Sequence, residues 1–273
     1  MKRLINQQPH RATRWLLGLL PFLLLLALYV GASNARLADN PNDKLLPSFE
    51  SFGAAIERLA FEPNVRTGEY VFWQDTLSSL QRLGMGVSIS ALFALVFGIF
   101  SGAIPFVRAN LSPLMTAISL VPPMAILPIL FIVFGLGELS KVMLIIIGIA
   151  PFLCRDLQQR VEEIPAEQLV KAQTLGANSW QIILRVIVPQ ILPRLIASVR
   201  LSLGSAWLFL IAAEAIASTD GLGYRIFLVR RYLSMDVILP YVVWITILAF
   251  VIDVLLRLLS RRCFAWFHAQ ANH

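Results

Sequence analysis

The residues that could do chemistry here are ionisable side chains inside long apolar runs, because an unpaired charge in lipid is expensive. Arg200 lies about two turns into such a run, where it can offer a positive site to an anion or extend its head to the nearest polar surface. Glu214 stands 14 residues further on, about 21 Å along one helix, so the two cannot pair within it. It is placed instead to accept N–H groups from the Gly221-Leu222-Gly223-Tyr224 turn, whose two glycines suit a tight reversal. Asp253 precedes Arg257 by four residues, the favourable order for an ion pair on one helix. No catalytic constellation accompanies these groups. His10, His268 and His273 sit near the chain ends, and no paired carboxylates face each other along an apolar run. No G-x-x-x-x-G-K-[ST] loop occurs, so this chain carries no nucleotide-binding loop of that kind. Cys154 and Cys263 fall at expected helix ends on one side, with no metal-ligand spacing and no reason to pair as a disulfide.

The elements that must hold these residues are set by composition. The 273 residues are 58% hydrophobic and 14% charged, with a mean hydropathy of +0.73. Soluble domains carry about 25% charged residues, so a chain this apolar reads as an all-α, polytopic membrane helical bundle. The net charge of +7 would suggest nucleic acid in a soluble protein. In a membrane protein it marks basic loops at the inner face, and no nucleic-acid partner is expected.

Residues 1–32 hold a basic start, with Lys2 and Arg3, and a first apolar crossing over 15–32. A signal peptide ending at Ser33-Asn34-Ala35 is the competing reading of the same pattern. Residues 33–74 form the one long polar segment, in which Phe49, Phe52, Ile56 and Leu59 predict an amphipathic helix over 47–60. Asp75 or Thr76 can cap the next helix, and 84–104 is a crossing in which Gly98 and Gly102 permit close helix approach. Residues 111–134 are long enough to cross but are interrupted by Pro113, Pro122, Pro123 and Pro128. A break at Pro122, Pro123 and Met124 is tolerated at a water-filled path or as a buried kink. Glu138, Ser140 and Lys141 read as a short outer turn. Further crossings are expected over 142–154, 194–217 and 237–259, with 218–235 as an outer loop and 264–273 as a tail. Together with the broken one, this makes about six transmembrane helices with both termini inside. The basic residues Arg155, Arg160, Lys171, Arg185, Arg194, Arg257, Arg261 and Arg262 support that orientation.

One long inner segment, 155–193, is not simply apolar. Pro165 suits a first helical turn, and Gly176 suits the residue just past a helix end. Asn178 with Gln181 three residues on makes a capping-box pair. Two short helices joined by a Leu175-Gly176-Ala177-Asn178 corner are therefore expected. In this stretch the chain resembles the bacterial ABC importer permeases, which carry E-A-A, three residues, G, nine residues, I-x-L-P. Ala172, Gly176 and Pro189 fall on matching positions, Val186 and Val188 stand where Ile and Leu are usual, and Val170 and Lys171 replace the first two motif residues. The blocks GLGELSK (135–141), KAQTLGANSWQ (171–181) and AAEAIASTDGLGY (212–224) are similar to the branch serving taurine, alkanesulfonates and nitrate.

The resemblance implies a type I importer permease core over 75–263 with an added N-terminal helix, in a bacterial inner membrane. It also implies a second permease copy, an outer solute-binding protein and a cytoplasmic ATPase dimer. ATP is then bound by that ATPase, with no cofactor in this chain and no enzyme activity of its own. Leu175, Gly176, Ala177, Asn178 and Trp180, supported by Ala172 and Pro189, would enter a groove on the ATPase. Pro122, Pro123, Met124, Arg200 and Glu214 would lie along the path of a small polar solute, with Gly221 and Gly223 at its outer mouth. A secondary transporter working without an ATPase is the rival, and it should show inverted repeats and intramembrane carboxylates for ion coupling.

Overall fold

A computed structural model describes residues 10–40, 43–64 and 68–270; Lys2, Arg3 and His273 lie outside them. Among the described residues the structure is helical throughout, with no strand. Its elements are α1 (Arg11–Asp39), α2 (Phe49–Ile56), α3 (Val71–Ala103), α4 (Pro105–Leu120), α5 (Pro123–Phe134) and α6 (Glu138–Glu162). They continue as α7 (Ala166–Thr174), α8 (Ser179–Ile182), α9 (Val188–Ala217), α10 (Leu222–Arg230), α11 (Met235–Cys263) and α12 (Ala265–Gln270). Among the described residues, four helices are long and apolar enough to cross a membrane, or five if the bent pair α4–α5 counts as one. α6, 25 residues long, is not among them, so the expected count of about six is approximate.

α6 is the centre of the bundle. It packs on α3, α9, α5 and α4, and Leu144, Ile145, Ile149, Leu153 and Leu157 along it are fully buried. Its contact with α3 rests on small residues. Gly86, Ser90, Ala94, Gly98 and Gly102 recur every four positions on one buried face of α3. A Cβ on Gly86 would lie 2.7 Å from Ile145, on Gly98 2.7 Å from Leu157, and on Gly102 2.5 Å from Val161. Each partner lies 59 positions later in the chain (86 with 145, 98 with 157, 102 with 161), so the two helices run in the same direction in one register. This is packing of i±4 ridges against i±4 ridges. The expected Gly98/Gly102 pair is thus the end of a five-rung ladder. On its other side α6 meets α9 as closely, since a Cβ on Gly148 would fall 2.3 Å from the Phe209 ring.

α4 and α5 form a broken element bent by 95°. Val121 and Pro122 are extended, and Pro123 opens α5, as two adjacent prolines require. Arg108 closes the end of α3 by donating to the Ser101 carbonyl (3.2 Å) and the Gly102 carbonyl (2.5 Å), while pairing with Glu162 of α6 at 3.1 Å.

Several local expectations change. α3 starts at Val71, so Asp75 and Thr76 lie in its second turn rather than at its cap. Glu138, Ser140 and Lys141 are the first turn of α6, where the glutamate sits at the positive helix end. Residues 218–235 are not a plain loop, because α10 occupies half of them. Cys154 is buried in the middle of α6 and Cys263 is exposed at the end of α11. α2 forms as expected, runs on into a π-helical turn (Glu57–Phe61), and packs on α11. Tyr29 of α1 meets Phe49 edge-on and donates to the Pro47 carbonyl at 2.7 Å.

The ladder generates a test. Gly102→Leu is expected to cost at least the ~1–3 kcal/mol typical of overpacking, read as a clear fall in the melting temperature of the purified protein. Gly84→Leu, where a Cβ meets nothing within 4 Å, should leave it unchanged.

Candidate functional site

Two constellations occupy opposite ends of the bundle. The first is the corner between α7 and α8. α7 ends in a Schellman motif, with the Gly176 N–H on the Gln173 carbonyl (2.9 Å) and the Ala177 N–H on the Ala172 carbonyl (3.1 Å). Gly176 takes φ +82°, which a side chain resists. α8 then opens with a reciprocal cap. The Gln181 N–H donates to Asn178 Oδ1 at 2.8 Å, and the Asn178 N–H donates to Gln181 Oε1 at 3.0 Å. Ala172 and Ala177 pack inward, and Gln190 of α9 donates to Gln168 of α7 at 3.0 Å. Leu175 is thereby left 81% exposed and Trp180 56% exposed. The Trp180 ring stacks on Phe100 of α3, 6.4 Å between centroids. The second helix is not a separate short element. A π-helical turn (Ile183–Ile187) joins α8 to α9, and the chain is one 39-residue helix from Ser179 to Ala217. Pro189 lies half-buried in the first turn of α9.

The second constellation surrounds Arg82 of α3, whose side chain is 2% exposed. Its guanidinium donates to Glu138 of α6 (2.5 and 2.8 Å), to Glu214 of α9 (2.8 Å), and to the carboxylate (2.5 Å) and carbonyl (3.0 Å) of Asp220. Lys141 adds a bond to Glu138 at 2.8 Å. Glu214, wholly buried, also accepts from the Ser79 hydroxyl and the Gly223 N–H. Gly221 stands so close that a Cβ there would meet Glu214 Oε1 at 2.5 Å, and its φ is +110°. One turn earlier on α3, Asp75 accepts from the Gly221 N–H (2.9 Å), Arg225 (2.8 Å) and the Tyr241 hydroxyl (3.2 Å). Ser78 donates to Asp220, and the Leu222 N–H donates to Ser79. Four residues spaced 75, 78, 79 and 82 on a single α3 face therefore hold the 218–223 turn.

Of the residues singled out in the sequence, Glu214, Gly221 and Gly223 meet here. Arg82 and Asp75 were missed; their regular spacing in an apolar helix was the signal. Arg200 does not join them. It pairs with Asp253 of α11 at 2.7 Å, and Arg257 adds a second pair to the same carboxylate at 2.9 Å. Pro122 and Met124 are exposed at the bend between α4 and α5, away from both constellations. Asp220, outside the crossings, has its carboxyl held below the usual range. Burial pushes it up, but the Arg82 guanidinium and the Ser78 hydroxyl outweigh that.

Comparison with known proteins follows this geometry. Residues 94–264 match the model of the binding-protein-dependent transport system inner membrane component family. The taurine transport system permease protein of Escherichia coli (strain K12) is 37% identical over 194 residues, covering 71% of this chain and 70% of that one. The bicarbonate transport system permease protein of Synechococcus elongatus is 29% identical, covering 70% and 69%. A bacterial ABC transporter involved in the import of the acidic polysaccharide alginate superposes with a TM-score of 0.63 at 15% identity, covering 93% of this chain and 97% of that one.

Removing Arg82 leaves a buried Glu214 carboxylate without its counter-charge. Arg82→Ala is expected to cost about 3–5 kcal/mol, and adding Glu214→Gln should restore part of it, read from melting temperatures in a double-mutant cycle. For Asp220 the lowered value means stability that is present above an unfolded pKa of about 3.9 and lost as pH falls through the folded one. The melting-temperature gap between wild type and Asp220→Asn should hold at neutral pH and close below about pH 4.

Proposed function

The chain belongs to the family of binding-protein-dependent transport system inner membrane components, and from that premise we propose that it moves a small sulfonate inward by alternating access. It is a membrane-embedded permease subunit of an ABC importer, a transporter rather than an enzyme, and its partners are an ATPase and a solute-binding protein. The observation that carries the mechanism is the corner at Gly176. Two apolar side chains, Leu175 and Trp180, stand in solvent on a backbone fixed by a Schellman motif and a capping box. Exposed apolar anchors on a rigid support suit a groove on another protein. The corner faces the cytoplasm in this reading, with both termini on that side. Arg155, Arg160, Lys171, Arg185, Arg194, Arg257, Arg261 and Arg262 gather toward the corner end. At the opposite end Arg82, Lys141 and Arg225 are neutralised by carboxylates.

Closure of a nucleotide-bound ATPase pair would push the corner, and the helices attached to it would rock between two openings. ATP stays on the ATPase. A second copy of this permease completes the path, and the Pro122–Met124 bend lies along it. The taurine permease is the relative that suggests the cargo.

Gly176→Trp is expected to lower ATP-driven taurine uptake into proteoliposomes by at least about tenfold through loss of an anchored contact. The variant should still fold, its melting temperature lowered by no more than the ~1–3 kcal/mol strain of a side chain at φ +82°. Unchanged uptake in that variant would remove the corner from the mechanism.

A further inference from the structure

We propose that the groove between α4 and α6 is an anion subsite in which Arg155 and a line of hydroxyls hold the sulfonate group of the solute near the corner end of the bundle. This deepens the reading above and rests on it for the identity of the cargo. The groove encloses about 570 Å³, within the range of small-molecule sites. α4 contributes Ser112, Thr116 and Ser119, spaced i, i+4 and i+7 and so aligned on one face. α6 answers with Arg155 and Gln159, again one turn apart. These hydroxyls, amides and guanidinium line a wetted groove at the polar end of α6, where residues 155–162 are mostly polar or charged.

Charge decides what the groove takes. Its two carboxylates are committed. Asp156 accepts from Ser198 and pairs with Arg160 at 3.6 Å. Glu162 accepts from Gln158 at 2.9 Å and pairs with Arg108 at 3.1 Å. Among the described residues Arg155 pairs with no carboxylate; it donates to the Ser119 hydroxyl at 2.8 Å. A guanidinium has five N–H donors in a planar fork, so most of its capacity faces the groove. The Thr116 and Ser119 hydroxyls donate to carbonyls of their own helix, at 2.9 and 2.8 Å, and can turn to donate to an oxyanion instead. The uncommitted charge is positive, and a fork of donors beside hydroxyls suits a group with several equivalent oxygens. Ser119 is also three residues before Pro122, so this end of the lining lies within a turn of the bend between α4 and α5.

The same chemistry would accept a lipid phosphate, and the test separates the two. In the nucleotide-free permease–ATPase complex, Thr116→Cys serves as a reporter in a Cys263→Ser background, since Cys154 is buried. Ethanesulfonate at millimolar concentration should slow maleimide labelling several-fold, ethanolamine should not, and Arg155→Gln should abolish the protection while Arg155→Lys retains part of it. Equal protection by ethanolamine, protection that survives Arg155→Gln, or protection by phosphatidylglycerol alone would overturn the subsite. Should either variant fail to fold, binding of radiolabelled taurine to the wild-type complex without its binding protein replaces it. Displacement by ethanesulfonate supports the proposal, and absence of binding refutes it. ATP-driven taurine uptake by wild type isolates the earlier reading. No uptake there removes taurine as cargo but leaves the ethanesulfonate result to judge the groove. Uptake that falls about tenfold with Arg155→Gln, as loss of a charge-assisted hydrogen bond predicts, supports the subsite, and uptake unaltered by that change removes it.

Discussion

A buried guanidinium is what the rest of this bundle depends on. Arg82 reaches three carboxylates from three different parts of the chain, 56, 132 and 138 positions away. No single partner would compensate the cost of burying that charge. Together with Lys141 they leave a nearly balanced knot in which all five guanidinium N–H groups have an acceptor. The knot fixes α3, α6, α9 and the 218–223 turn relative to one another at one end. The α3–α6 ladder then carries that alignment down the bundle, because small residues every four positions fit one register, and a shift that put larger side chains at Gly86, Gly98 or Gly102 would clash.

The opposite end is built differently. Around Gly176 the ties are local: caps, a Schellman turn, and the Gln168–Gln190 and Arg194–Glu163 contacts. The corner is thus rigid within itself but attached to the bundle through few long-range polar bonds. Such a division suits an element that must be pushed without being crushed. The knot, in contrast, is placed where α10 covers the helix ends.

What the sequence disclosed follows the same division. The corner was legible residue by residue, since Gly176, Asn178 and Gln181 act through rules that span five residues or fewer. The break at Pro122–Pro123 was legible for the same reason. The Asp253–Arg257 pair was found, but Arg200 as the third member was not, because 53 positions separate it from Asp253. From sequence Asp75 is a candidate cap, and Arg82 has no assigned role. Neither is unreasonable for a polar residue near the start of an apolar run. Their partners lie across the fold, and only the 75, 78, 79, 82 spacing hinted at a shared face. α10 went unread because its short, mixed sequence has a weak period and draws its stability from Asp75 and Glu214 beneath it.

One more consequence follows from the π-helical turn at Ile183–Ile187. By absorbing an extra residue without ending the helix, it leaves about 51 Å of continuous helix between Trp180 and Glu214. Were a helix of that length to pivot near its middle, where Arg200 pairs with Asp253, a tilt of about 10° would move each tip by roughly 4 Å. In such a pivot the Trp180 tip and the Arg82 knot would be the two arms of one seesaw, and the π-helical turn and Pro193 would be the places where bending loses stroke.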